Sequence, residues 1–192
     1  MRVLIVYTYP NPNGLNAAIF RGAVAGLEEA GIAYDVIDLY GEHFNPVLIF
    51  NKDSHRAQMK DDPDTAHYRE LVAAADHLIF IYPTWWSGMP AMLRGFFDRV
   101  FASGFAYAYR GLYPHGLLNG KSATLIYTMD GPAFYARLIR RSSEWHAVKG
   151  PIFHFCGIQP VRRLVLYGVR HSTVKKRKHF LEHVHCYCAQ LS

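Results

Sequence analysis

Cysteine is scarce in this chain: three residues in 192, Cys156, Cys186 and Cys188, an odd number with no framework spacing. That excludes a disulfide-stapled scaffold and implies reduced thiols in a reducing compartment. Long apolar runs are missing as well. The longest, such as Val3-Leu4-Ile5-Val6, are strand-sized and far too short to span a bilayer. The chain opens on that run without the features of a secretory leader, so the expected location is the cytoplasm. No polar tract is long and 51% of residues are hydrophobic, which argues against intrinsic disorder. There is no GxGxxG and no Walker Gly-Lys-Ser/Thr, so neither the dinucleotide fingerprint nor a P-loop is encoded. Lys and Arg number 21 against 15 Asp and Glu, a formal charge of +6. Apart from Lys175-Lys176-Arg177-Lys178 these charges are scattered, so no nucleic-acid partner is expected, although an anionic cofactor would suit them.

What the chain does have is alternation of strand and helix patterns. Residues 3–7 form an apolar run with β-branched residues, the mark of a strand buried on both faces. Helical spacing follows over 15–30, with Gly31 as the stop. Residues 33–39 alternate as a second strand, and 40–63 have no periodicity and are expected to form a long loop. Asp64 is expected to cap a helix running to residue 75, and 76–82 form a third strand halted by Pro83. Pro90 stands at the start of a helix over 91–101. A fourth strand over 122–128, a helix from residue 133, a short helix over 151–157, a fifth strand over 161–169 and a C-terminal helix over 173–189 complete the pattern. Five strands alternating with helices predict one α/β domain over residues 1–192: a flavodoxin-like, doubly wound, five-stranded parallel sheet in the order 2-1-3-4-5.

Active sites in such sheets lie beyond the carboxyl ends of the strands, near the switch in strand order. Three loops fall there. The first, from Tyr9 through Asn13 and Gly14 to Leu15, Asn16 and Ala17, leads into a helix N-terminus that favours a phosphate. Taken alone, an ordinary Asn/Gly-rich helix cap is the better reading of it. The second, Pro83-Thr84-Trp85-Trp86-Ser87-Gly88-Met89-Pro90, sets two indoles between prolines at the mouth of a buried strand. This suits the wall of a pocket for a flat heterocycle, the alternative being core or dimer-contact residues. The third, Thr128-Met129-Asp130-Gly131-Pro132-Ala133-Phe134-Tyr135, offers amides and the Thr128 hydroxyl to a developing negative charge. Tyr135 can donate a hydrogen bond or proton to a substrate oxygen, or pack under the loop with its hydroxyl in water. A phosphate seat, an aromatic wall and a polar amide edge are the three requirements of a flavin mononucleotide.

The segment YPTWWSGMPAMLRGFFDRVFASGFAYAY over 82–109, PIFHFCGIQP over 151–160 and, less closely, NPNGLNAA over 11–18 resemble the NAD(P)H:quinone oxidoreductase family along nearly the whole chain. The resemblance implies a homodimer with flavin near the subunit interface, and hydride transfer from NAD(P)H through flavin to a quinone. It implies that Asn16 and Ala17 hold the flavin phosphate region, that Pro83, Thr84, Trp85 and Trp86 flank the ring, that Thr128 through Gly131 line its polar edge, and that Tyr135 stands beside the substrate. FMN is favoured by the short chain, with little spare loop around the phosphate seat; FAD is the alternative. The choice between NADH and NADPH is not legible.

Four positions depart from the family pattern. Tyr9 stands where relatives often carry histidine, and Gly14 where many carry serine or threonine. Arg141 replaces the histidine that some relatives pair with the tyrosine, and offers a positive charge to an anionic hydroquinone instead. Asp130 replaces a glycine, setting a carboxylate beside the flavin edge. Two other functions share the fold: an ancillary regulatory flavoprotein of a potassium-efflux transporter, and a flavodoxin-like electron carrier, which the positive charge disfavours. A response regulator fails because the third strand ends in Pro-Thr-Trp-Trp without a phosphoacceptor aspartate. His183, His185, Cys186 and Cys188 are potential metal ligands, but an amphipathic C-terminal helix explains their spacing, so no metal is expected.

Overall fold

The computed structural model describes residues 1–50 and 55–191; part of the expected loop over 40–63, residues 51–54, lies outside the described residues. In chain order the strands are β1 (Arg2–Tyr7), β2 (Ala33–Asp38), β3 (His77–Pro83), β4 (Tyr107–Arg110), β5 (Tyr113–Gly116), β6 (Ser122–Met129) and β7 (Val161–Tyr167). Five of them form one parallel sheet in the order β2-β1-β3-β6-β7, the expected 2-1-3-4-5 once the β4–β5 hairpin is set aside. The helices are α1 (Leu15–Glu29), α2 (Pro63–Ala74), α3 (Ala91–Val100), α4 (Ser143–Val148) and α5 (Val174–Ala189).

Strand pleating divides the core in two. Leu4, Val6, Leu78, Phe80, Leu125 and Tyr127 face one side, where Val72 of α2, Leu93 and Phe96 of α3 and Val148 of α4 cover them. Val3, Ile5, Ile79, Ile81 and Ile126 face the other, against α1 and α5. Each fully buried Leu, Ile or Phe stabilises the fold by about 1.5–3 kcal/mol relative to exposure. The second layer depends on a close approach of helices: a Cβ on Gly26 would fall 2.3 Å from the His185 carbonyl oxygen of α5. The thiol of Cys188 is buried in that contact and Cys156 in the opposite layer. Burial pushes both thiols up to about 12, and all three cysteines are free.

Local expectations hold where the signal is strong. α1 ends at Glu29 and Gly31 takes the left-handed conformation, φ +64°. Four details are corrected. Asp62, not Asp64, caps α2: its carboxylate accepts from the Asp64 N–H at 3.0 Å, and Pro63 takes the first helical position, where its missing N–H costs nothing. β7 stops at Tyr167 because Gly168 turns left-handed, φ +69°. The helix expected from residue 133 is a π turn, Tyr135–Ile139, and the one expected over 151–157 is a π turn over Lys149–His154. The β4–β5 hairpin, closed at Gly111-Leu112, is an element absent from the expected pattern.

Candidate active site

All three expected loops converge at the carboxyl ends of β1, β3 and β6. In the first, Gly14 is the N-cap of α1 but offers no side-chain hydrogen bond, and the first turn carries no acid. Its initial N–H groups are therefore left for an external anion. Asn16 is buried and its amide donates to Thr128 Oγ1 at 3.3 Å, tying the helix start to the end of β6. The Tyr9 ring lies over Gly14 so closely that a Cβ there would sit 2.7 Å from Tyr9 Cε1. The two departures at positions 9 and 14 are thus one packing arrangement: the large ring requires the missing side chain.

In the second loop the Thr84 N–H and hydroxyl both donate to the Thr128 carbonyl, at 2.8 and 3.0 Å. Trp85 and Gly88 exchange backbone hydrogen bonds of 2.9 Å around Trp86 and Ser87, whose φ values are +53° and +57°. That is a two-residue turn of the type that favours Asn and Gly at its centre, and side chains held there cost about 1 kcal/mol or more each. Trp86 is fully exposed and Trp85 nearly half exposed, so neither indole is core.

A cavity of about 460 Å³ brings Thr84, Trp85, Trp86, Ser87, Met129, Asp130, Gly131 and Tyr135 together, with Ala136, Arg140 and Glu144 at its far side. A smaller one of about 180 Å³ adds Tyr9, Leu15, Asn16, Pro83, Thr128 and Val169. The two share Thr84, Trp85, Met129 and Asp130, making one groove from the start of α1 to Tyr135. Asn13 and Ala17 line neither: Asn13 is exposed, its N–H turned to Asn11 Oδ1, and Ala17, in the first turn of α1, is buried in the core. Arg141 is also absent from the lining. It is exposed at φ +48°, and the neighbouring Arg140 faces the cavity in its place.

Behind the cavity is a polar cluster that sequence reading missed. Glu144 is buried, and its Oε1 accepts from the Tyr127 hydroxyl at 3.2 Å and from Arg163 at 3.3 Å. Arg163 also donates to Ser142 Oγ at 3.2 Å and stacks on Trp145 at 5.0 Å. Burial pushes the Tyr127 phenol up, and the Tyr82 phenol stacked on it, so both stay protonated at neutral pH. A signal existed: Arg163 lies in a strand, where a charge needs a partner, and Glu144 is the one acidic residue between Asp130 and Glu182. The C-terminal histidines and cysteines do not converge. His185 pairs with Glu29 at 3.2 Å and Cys188 is buried. Among the described residues no group of three or more side chains could hold a metal ion.

A parallel sheet of this order, grooved at the carboxyl ends of its central strands, defines a protein of the flavodoxin-like α/β class. The family described as having a flavodoxin-like fold matches residues 1–191. NAD(P)H dehydrogenase [quinone] 1 of Cavia porcellus is 32% identical, over 94% of this chain and 73% of that protein. A crystal structure from Streptococcus mutans covers both chains fully at 39% identity and a TM-score of 0.93. The NAD(P)H:quinone oxidoreductase of Methanothermobacter marburgensis superimposes with a TM-score of 0.85 at 26% identity, over 98% of this chain and 96% of that one. The chain belongs to the NAD(P)H:quinone oxidoreductase family of flavodoxin-like proteins.

Proposed function

We propose that this protein is a flavin-dependent oxidoreductase that passes two electrons from NAD(P)H, as hydride, to a quinone. The observation that carries the reading is the single groove joining an uncapped helix start, an indole wall and an amide-lined edge. Its residues fit a flavin: the α1 N–H groups and Asn16 would hold the phosphate, Thr84 and Trp85 the ring face, and Thr128 through Gly131 the polar edge. When bound, the flavin supplies the two-electron carrier between donor and acceptor.

The chain's own residues do the rest. Trp85 and Trp86 wall one face of the groove and orient a flat ligand against it. Tyr135, on the π turn, reaches the same cavity and donates a hydrogen bond or proton to the oxygen of the acceptor. Arg140 offers a positive charge to the anion that reduction leaves on that oxygen. FMN is the proposed flavin and FAD the alternative, since the chain leaves little spare loop around the seat where the Tyr9 ring packs on Gly14. The exposed apolar side chains Leu112, Tyr113, Leu138 and Ile139 support a homodimer. A cytoplasmic location completes the reading, and no described helix is long and apolar enough to cross a membrane.

The test is a visible spectrum of the purified protein, followed by NADPH without air and then menadione. Bleaching by NADPH and recovery on quinone addition is the expected result. The mass of the released cofactor distinguishes FMN from FAD, and sedimentation of the same sample reads the dimer. A protein that takes up neither flavin overturns the assignment.

A further inference from the structure

The Glu144 cluster is built in a way that an internal ion pair does not require. A structural arginine–carboxylate pair is commonly a fork against a fork, with both carboxylate oxygens engaged. Here Arg163 gives one nitrogen to Glu144 Oε1 and to the Tyr127 hydroxyl, and spends the other on Ser142. The Tyr127 hydroxyl also goes to Oε1. Among the described residues Oε2 takes no hydrogen bond, and it is not sealed in: the buried partnerless side-chain atoms are the hydroxyls of Tyr7, Thr8 and Tyr167. Glu144 lines the cavity with only 4% of its side chain exposed, so that remaining surface opens into the cavity.

The backbone that delivers it is held out of ordinary conformation. Arg141 and Ser142 are both left-handed, at φ +48° and +52°, immediately before α4. Two such residues in succession persist only where surrounding contacts over-determine them. The contacts are present: Arg163 on the Ser142 side chain, and Trp145 under the guanidinium. The result is a carboxylate fixed through one oxygen and presented through the other, at one end of a cavity whose other walls include Trp85, Met129 and Tyr135.

Resting on the assignment of this cavity as the acceptor site, we propose that Glu144 is its specificity-determining residue, selecting flat electron acceptors that carry an N–H or O–H donor on the ring edge. Oε2 accepts that hydrogen, while Tyr135 and Arg140 serve the oxygen being reduced. An acceptor with only a methyl group there would leave a buried carboxylate oxygen without hydration or partner, and such mismatches discriminate more strongly than missing apolar contacts.

The experiment pairs 2-amino-1,4-naphthoquinone with 2-methyl-1,4-naphthoquinone, on wild-type protein and Glu144→Gln. Taking the ratio of kcat/KM for the two quinones within each protein, and comparing ratios, cancels their intrinsic difference in reactivity. We expect the ratio to fall about tenfold in Glu144→Gln, since a bond to a carboxylate is about twice as strong as one to an amide. An unmoved ratio with lower thermal stability would make Glu144 a counter-ion and overturn the proposal. So would an unmoved ratio with weaker flavin binding, which would assign Oε2 to the flavin. Dissociation constants of the two quinones for oxidised wild-type protein decide the matter even where the variant does not fold: the amino compound should bind about tenfold more tightly, and equal binding overturns the proposal. That titration reads the cavity whether or not flavin loads, so its failure is distinct from failure of the flavin reading.

Discussion

At the edge where the sheet strands begin, His77 is held between Ser122 at 2.6 Å and Thr124 at 3.0 Å, and Thr124 in turn meets the Tyr187 hydroxyl. Arg2 pairs with Asp35 at 2.7 Å, and Lys121 donates to the carbonyls of Ala73 and Ala75. At the edge where they end, the hydroxyls of Tyr7, Thr8 and Tyr167 are buried without a partner among the described residues. Four of the five left-handed non-glycine residues, Trp86, Ser87, Arg141 and Ser142, belong to the loops on that side. The strand starts are therefore closed by side-chain hydrogen bonds, while the strand ends combine bonded groups such as Thr84 and Thr128 with these three unpartnered hydroxyls. Unpaired groups and strained turns are destabilising, and their concentration at one edge marks where the fold gives up stability for binding.

The largest effect expected to test this contrast is at the closed edge. Burial, with Arg162 nearby, lowers His77 from 6.5 to about 4. The unfolded chain then binds a proton that the folded chain refuses between those values. The neutral histidine's contribution should be complete above about pH 6.5, fall as pH drops, and be gone by about pH 4, a change of about 3 kcal/mol. Urea unfolding at intervals across that range should show the slope, and His77→Gln should flatten it while leaving flavin affinity unchanged. A slope identical in both proteins would place the loss elsewhere.

At the open edge the order of effects should reverse. Trp85→Ala should weaken flavin retention by tenfold to a hundredfold, about 1.4–2.7 kcal/mol, while changing the stability of the flavin-free protein by less than about 0.5 kcal/mol. Fluorescence titration with FMN and thermal melts would separate the two, and a large stability loss would return the indole to the core. The smallest effect is at Ser87, where glycine suits the left-handed turn. Ser87→Gly should raise the stability of the flavin-free protein by up to about 1 kcal/mol, and a lower melting temperature would mean that the turn stores no strain.

The sheet was legible because β1, β3 and β6 are buried on both faces, and continuous apolar runs of that length admit few other readings. The three loops were legible for a topological reason: strand order alone sends them to one edge. What escaped was set by contacts distant in sequence. The two-residue turn at Gly111-Leu112 joins strands too short and too exposed to alternate. Asn13 and Ala17 lie in the right loop, but only the path of the chain decides which side chains line a groove. Arg140 rather than Arg141 lines the groove, at a left-handed step in the backbone that periodicity does not reveal. Glu144 lies 19 residues from Arg163, and helical or strand periodicity is blind to such a pairing.

The burial of Cys156 and Cys188 has a chemical consequence for a protein that handles quinones. A quinone is a Michael acceptor as well as an oxidant, and it arylates thiolates. Desolvation pushes both thiols up to about 12, so near neutral pH they carry almost no nucleophilic charge, and packing denies an electrophile the approach it needs. The exposed Cys186 is on α5, outside the residues that line the groove. The fold thereby shields its two buried thiols from a reactive guest and leaves Cys186, away from the groove, as the thiol open to solvent.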